Sequence, residues 1–146
     1  MRDWIALDPS ECESLLRAGV VGRMAVFDGT RPHILPLNYA VVGDALLVRT
    51  GADSLLARLP DRTPLAFEVD ALDHDGHRGW SVVAHGRSER IDSLDEVDRL
   101  DRGRGPRPWV AGTRPHHLRL RWSSLTGYRL GTGWDLRAAM PVRRAE

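Results

Sequence analysis

Residues 35–59 read LPLNYAVVGDALLVRTGADSLLARL, and the order of residue types in this stretch decides the architecture. Leu35, Leu37 and Tyr39 alternate with Pro36, Asn38 and Ala40, the period-two pattern of a strand with one buried face. Gly43-Asp44 then separates Val41-Val42 from Ala45-Leu46-Leu47-Val48, a turn pair that tolerates positive φ between two β-prone runs. The second run ends in Arg49-Thr50-Gly51. Asp53 or Ser54 can cap a short helix through Leu55, Leu56 and Leu59, which Pro60 stops. Amides at a helix start, the Arg49 cation and the hydroxyls of Thr50 and Ser54 together offer a seat for a phosphate. The same spacing also suits an ordinary strand-to-helix connection with a surface arginine.

On either side of this stretch the chain reads as short strands with helices at the connections. Asp8-Pro9-Ser10-Glu11 starts a helix, with Cys12, Leu15 and Leu16 as its apolar stripe and Gly19 at its end. Val20 to Phe27 is a strand, and Asp28-Gly29 turns it into Pro32 to Val42, so the first three strands are expected to form an antiparallel meander. Thr63 to Leu72 carries Leu65, Phe67 and Val69 on one face. After the polar turn Asp73 to His77, Gly79 to Ile91 carries Trp80, Val82, Ala84 and Gly86 on one face, with Ser81, Val83, His85 and Arg87 opposite. Ser93 and Glu96 stand at capping-box spacing. Arg102 to Pro115 is a connection rich in Gly, Pro and Arg that carries Trp109. His117 to Trp122 and Leu125 to Leu130 are expected as two last strands separated by Ser123-Ser124. The fold class is therefore mainly β with α additions (α+β), a closed or nearly closed barrel of antiparallel strands.

Composition narrows the chemistry. The 146 residues suit one domain, taken as residues 1–133, with an arginine-rich tail over 134–146. No apolar run approaches the roughly 20 residues of a membrane span, and the start is no signal peptide, so a cytoplasmic protein without membrane contact is expected. Cys12 is the single cysteine, which excludes an internal disulfide and a multi-cysteine metal centre. All 21 basic residues are arginine. Without lysine, neither Schiff-base chemistry nor a Walker A loop is available. Residues 1–101 hold 11 Arg against 18 acids, while 102–146 hold 10 Arg against two. That basic end suits an anionic ligand, a partner subunit or plain solvent. Nucleic acid, which needs basic and aromatic residues grouped on one face, is not expected.

Other constellations fail on spacing. Gly131-Thr132-Gly133 has Leu136 where a dinucleotide fingerprint needs its third glycine. Asp73-His74-Asp75-Gly76 lacks the remaining calcium-loop ligands, and no metal is expected. Ser81 follows Gly79-Trp80, but Val83 replaces the second glycine of a nucleophile elbow. His85 reads as a hydrogen-bonded structural histidine, with acid, base or haem-ligand roles as alternatives.

Taken in order, Val21-Gly22-Arg23-Met24-Ala25, Pro36-Leu37-Asn38-Tyr39, Arg49-Thr50-Gly51 with Ser54, Ala66-Phe67-Glu68-Val69-Asp70, Gly79-Trp80-Ser81-Val82 with Gly86-Arg87, Arg107-Pro108-Trp109 and Thr126-Gly127-Tyr128-Arg129 resemble the pyridoxamine 5′-phosphate oxidase-like split β-barrel family, in its small flavin-nucleotide-binding and nitroimidazole-resistance-like branch. The resemblance implies a homodimeric split barrel with FMN in a groove between subunits, acting as an oxidoreductase on a small organic substrate. It places backbone of Leu37 and Asn38 at the polar edge of the flavin ring, Arg49, Thr50 and Ser54 at the phosphate, and Trp80 and Trp109 as walls. The family commonly has lysine after the serine that matches Ser54, and here that position is Leu55. Relatives that use the deazaflavin F420 or haem supply the alternative. On that reading the chain is a non-catalytic module that sequesters or senses flavin, F420 or haem, or a dimeric scaffold without cofactor.

Overall fold

The structure, a computed structural model, describes residues 4–102, 106 and 114–131. Among the described residues, eight strands and three helices follow one another as β1 (Trp4–Ala6), α1 (Pro9–Ala18), β2 (Val21–Phe27), β3 (Pro32–Asn38), β4 (Ala40–Val42), β5 (Ala45–Thr50), α2 (Leu55–Arg58), β6 (Pro64–Asp73), β7 (Arg78–Ile91), α3 (Leu94–Arg102) and β8 (His116–Leu130). Every strand pairing is antiparallel, in the order β3-β2-β6-β7-β8-β5-β4, with β1 added along β8. The two end strands of that path, β3 and β4, are consecutive in the chain and separated by Tyr39 alone. The sheet must curl until its ends meet at that residue, which gives the split barrel.

This corrects the expected meander. Pro32 to Val42 is one extended stretch, but it bends at Tyr39, so that its first part pairs with β2 and its last with β5. Tyr39 is buried, donates its hydroxyl to the Leu16 carbonyl of α1 and meets Phe67 edge-on at 4.9 Å between ring centroids. Gly19 makes that contact possible, because a Cβ there would come within 2.2 Å of the Tyr39 hydroxyl.

The last two expected strands are one strand, β8, and the break placed at Ser123-Ser124 is a β-bulge. His85 faces Ser124 while Gly86 faces Trp122, so Ser123 is an extra residue, and its Oγ donates to the His85 carbonyl at 3.2 Å. The bulge moves the inward phase from Leu118 and Leu120 to Gly127, which is why the sequence pattern looked like two strands. Sequence reading missed β1 altogether, a three-residue strand that pairs Trp4–Ala6 with Tyr128–Leu130.

The barrel core is filled by alternate residues: Met24 and Val26 from β2, Leu65, Phe67 and Val69 from β6, Trp80, Val82 and Ala84 from β7, and Leu118 and Leu120 from β8. Helix α1 starts with a full capping box, Asp8 accepting from the Glu11 amide at 2.9 Å and Glu11 returning to the Asp8 amide at 3.1 Å. Its buried Cys12, Leu15 and Leu16 join the core, and Cys12 lies so close to β8 that a Cβ on Gly127 would meet its sulfur at 2.7 Å. Burial and two nearby acids, Asp8 and Glu11, push the Cys12 thiol pKa up, so it packs as the inert small hydrophobe expected of it.

Candidate functional site

Strand β5 brings Arg49 and Thr50 to one end of the barrel. It pairs with β8 through Arg49 opposite His117 and Thr50 opposite His116. Successive side chains on a strand point to opposite faces, so Thr50 follows Leu46 and Val48 to the inner face and Arg49 follows Leu47 to the outer. Thr50 is buried, and its hydroxyl donates to Ser54 Oγ. Arg49 is half-buried, and its Nη2 donates to the Arg114 carbonyl at 3.3 Å. The structure therefore joins Thr50 to Ser54 but does not put the Arg49 guanidinium on their side of β5. A ligand group that reaches all three must sit at the strand end, over Gly51, where a Cβ would meet no atom within 4 Å.

Of the two expected caps, Ser54 is the one used. Its Oγ accepts from the Ala57 amide at 3.1 Å, while Asp53 is exposed and gives only its carbonyl, to Arg58 at 2.9 Å. Helix α2 has four residues, so its dipole adds little, and any anion here depends on Arg49 and on hydrogen-bond donors. Leu55, at the position of the absent lysine, is half-buried and packed against the core.

The rest of α2 is held from β7. Arg90 Nη2 donates to the carbonyls of Ala57 and Leu59, each at 3.1 Å, and the Arg90 amide donates to Asp61 Oδ1 at 3.2 Å. Ser88 accepts from the Arg62 amide at 2.9 Å, donates its amide to the Thr63 carbonyl at 2.8 Å and accepts from the Thr63 amide at its Oγ at 2.9 Å, and Arg87 donates to the Arg62 carbonyl at 3.0 Å, where Arg62 has φ 67°. Sequence reasoning missed this clamp, and it missed Arg114, His116 and His117 beside Arg49. No local signal carries either, because the partners lie from 25 to 68 residues apart and only strand pairing joins them.

Leu37 and Asn38 close β3, opposite Gly22 and Val21, just before the bend at Tyr39. The β4–β5 register, Ala40 opposite Leu47, would set Asn38 opposite Arg49 if it continued, but the chain leaves β5 there for β2. Leu37, Asn38 and Arg49 thus flank the split in the barrel. Trp80 does not. It faces Arg129, twelve residues along β8 from His117 and about 40 Å by strand rise, so the wall expected of it is at the far end. There it is buried in the core and lines a groove of about 390 Å³ with Trp4, Leu72, Arg78 and Leu130. Trp109 lies outside the described residues, as does the 134–146 tail. His85 is exposed on the outer face of β7. No cluster of three or more metal-ligating side chains occurs among the described residues.

The outer face of β2, β3, β6 and β7 has a mixed character. Phe27, Ile34 and Leu72 are exposed there, around an ion-pair cluster in which Arg23 reaches Glu68 at 2.9 Å and Asp70 at 2.5 Å. Burial, then the neighbouring Asp70 charge, holds the Glu68 carboxyl above its ordinary pKa, against the pull of Arg23. The guanidinium is raised chiefly by its bond to Asp70. Arg23 is thus committed more to Asp70 than to Glu68.

Comparison with known proteins agrees with this architecture. Residues 8–129 match the model of the family described as pyridoxamine 5′-phosphate oxidase. An uncharacterized protein of Mycobacterium tuberculosis, Rv0080, is 29% identical over 114 residues, covering 75% of this chain and 74% of the relative. The FAD binding protein of Mycobacterium smegmatis superposes with a TM-score of 0.65 at 25% identity, covering 87% of this chain and 98% of that one. The FAD and heme binding protein of the same organism gives 0.66 at 20% identity over 92% and 78%, a likeness of fold.

Proposed function

The chain belongs to the pyridoxamine 5′-phosphate oxidase family, and from that premise we propose that it binds FMN at the β5–α2 end of a homodimeric split barrel and acts as an oxidoreductase on a small organic substrate. The observation that carries this reading is the end of β5, where the Arg49 cation on one face and the Thr50–Ser54 hydroxyl pair on the other flank the open backbone of Gly51 beside the split. These residues fit a phosphate in charge and in donors. Arg49 supplies the charge, Ser54 and Gly51 define the lip, and Leu37 and Asn38 offer backbone at the split for the ring's polar edge. When bound, the flavin supplies the hydride chemistry, while the protein binds, orients and excludes water.

A second copy is part of this reading. Phe27, Ile34 and Leu72 expose apolar area around the Arg23 cluster, the composition of a surface that a partner covers. Two-fold symmetry would place the same face against itself.

One observation favours the non-catalytic alternative: Leu55 packs on the core where a cation would strengthen the seat, and Thr50 and Ser54 already bond each other. A protein with a weak phosphate seat could hold flavin for sensing, hold the deazaflavin F420 or haem, or serve as a dimeric scaffold. The neighbour that binds both FAD and haem shares the fold. The absorption spectrum of freshly purified protein, before and after denaturation, separates these cases. Titration of the stripped protein with FMN and riboflavin then tests the seat. Arg49→Ala should weaken FMN by roughly 1.5–3 kcal/mol and riboflavin hardly at all. Equal weakening of both, or binding of neither by the parent, sinks the phosphate assignment.

A further inference from the structure

Helix α2 is one turn of four residues, too short to hold its own geometry in water, yet its first cap, Ser54, forms the lip of the proposed phosphate seat. Something outside the helix must fix it. Two carbonyls at its far end are met by one side chain of the barrel wall, because Arg90 of β7 spans the Ala57 and Leu59 carbonyls at 3.1 Å each. The Arg90 amide also donates to Asp61, so the same residue fastens the helix and the loop after it to the barrel wall.

We infer that Arg90 is a positioning residue for cofactor binding, a clamp at the C-terminal end of α2 that holds Ser54, and through it Thr50, at the mouth of the seat. The inference rests on the reading of Arg49 to Ser54 as the phosphate segment. The physical argument is leverage over a short span. Ser54 Oγ is tied to Ala57 by the cap, and Ala57 is tied to β7 by Arg90, so release of the Ala57 carbonyl loosens the cap on a serine whose other ties are its amide to the Gly51 carbonyl, its hydroxyl to Thr50 and the packing of Leu55 and Leu56 on the core. Arg90 is exposed, so its removal opens no cavity in the core. Arginine suits the task because its terminal Nη2 carries two N–H donors and meets both carbonyls from one position.

The test uses Arg90→Met, which keeps the stem and loses the donors, and Arg90→Lys, which keeps a cationic donor. Arg90→Met should weaken FMN about three- to tenfold, the loss expected from one or two hydrogen bonds, while riboflavin changes less than about twofold. Arg90→Lys should recover most of the FMN affinity. Amide hydrogen exchange in the ligand-free protein should speed up at residues 55–59 in Arg90→Met and stay unchanged in β6 and β7. A purely structural arginine would instead weaken FMN and riboflavin together. That result, or unchanged FMN affinity, overturns the inference. Arg49→Ala run in parallel keeps the two ideas apart. A phosphate-selective loss there with none in Arg90→Met removes the clamp alone, and no selectivity in Arg49→Ala removes the seat and the clamp with it.

Discussion

Leu55 begins α2 with its side chain half-buried on the barrel core and its backbone next to the cap that faces the proposed phosphate. Leu55→Lys therefore carries two opposed effects. A new ammonium should tighten FMN by at most about tenfold, after the roughly 1.5–2 kcal/mol entropy of ordering a long side chain. The lost apolar contact should lower stability by about 1 kcal/mol in the ligand-free protein. Fluorescence titration reads the first and thermal melts the second. A melt that does not fall would mean that the leucine is not packed as described. Glu68 gives the pH-dependent counterpart. Its folded pKa is raised, so its charged form burdens the fold at neutral pH, and that burden is relieved as pH falls toward the ordinary glutamate value of about 4.3. Glu68→Gln should leave stability unchanged or raise it by up to about 1 kcal/mol at pH 7, with Arg23 still held by Asp70, and the advantage should shrink on acidification. Melts from pH 4 to 8 check the sign, and a variant clearly less stable at pH 7 would refute it. At this scale the sequence showed which residues carry donors and charge but not which way they face. Arg49 and Thr50 are adjacent in the chain and opposite across β5, and nothing local pairs Arg90 with Ala57.

Among the elements, those with strong local signals were legible. The Asp8 cap, the Gly43 turn at φ 61° and the buried stripes of β6 and β7 follow from residue spacing alone. Elements set by pairing were not. β1 has three residues, too few to show a period, and it exists because β8 runs long enough to accept it. The phase shift at Ser123 reads as a strand end unless β7 is known to continue opposite it. The bulge yields a direct expectation. Deleting Ser123 would remove the extra residue and leave a regular ladder, in which every residue from Leu125 onward keeps its β7 partner and its face and Gly127 keeps its contact with Cys12. The deletion variant should stay folded and lose about 1–2 kcal/mol, from the local bend and twist that the bulge supplies. Ser123→Gly, which keeps the extra residue and loses only its bond to the His85 carbonyl, should cost about 1 kcal/mol. Urea melts of the two variants compare the extra residue with its side chain, and a loss of several kcal/mol in the deletion variant would show that β8 cannot pair with β7 without the bend.

For the whole molecule, the family and the barrel were legible from the order of motifs, because spacing between strands is a property of the entire chain. The assembly is the open quantity at this scale. A homodimer is expected at micromolar concentration, and sedimentation equilibrium measures it. Ile34→Glu together with Phe27→Glu, both at exposed positions of the proposed face, should give a folded monomer with weakened flavin binding. If the double variant stays dimeric, the contact lies on another face. A parent that is monomeric with flavin bound would remove the inter-subunit site. The joint at Tyr39 has a further consequence. Most open sheets end in two edges that can recruit strands from other molecules, and proteins restrain them with charges, prolines or bulges. Here β3 and β4 are neighbours through one peptide junction, so the intact backbone holds both edges at the split. A single proteolytic nick at Tyr39 would remove no side chain, yet it would free two strand ends to part and offer both sheet edges to strands of other molecules.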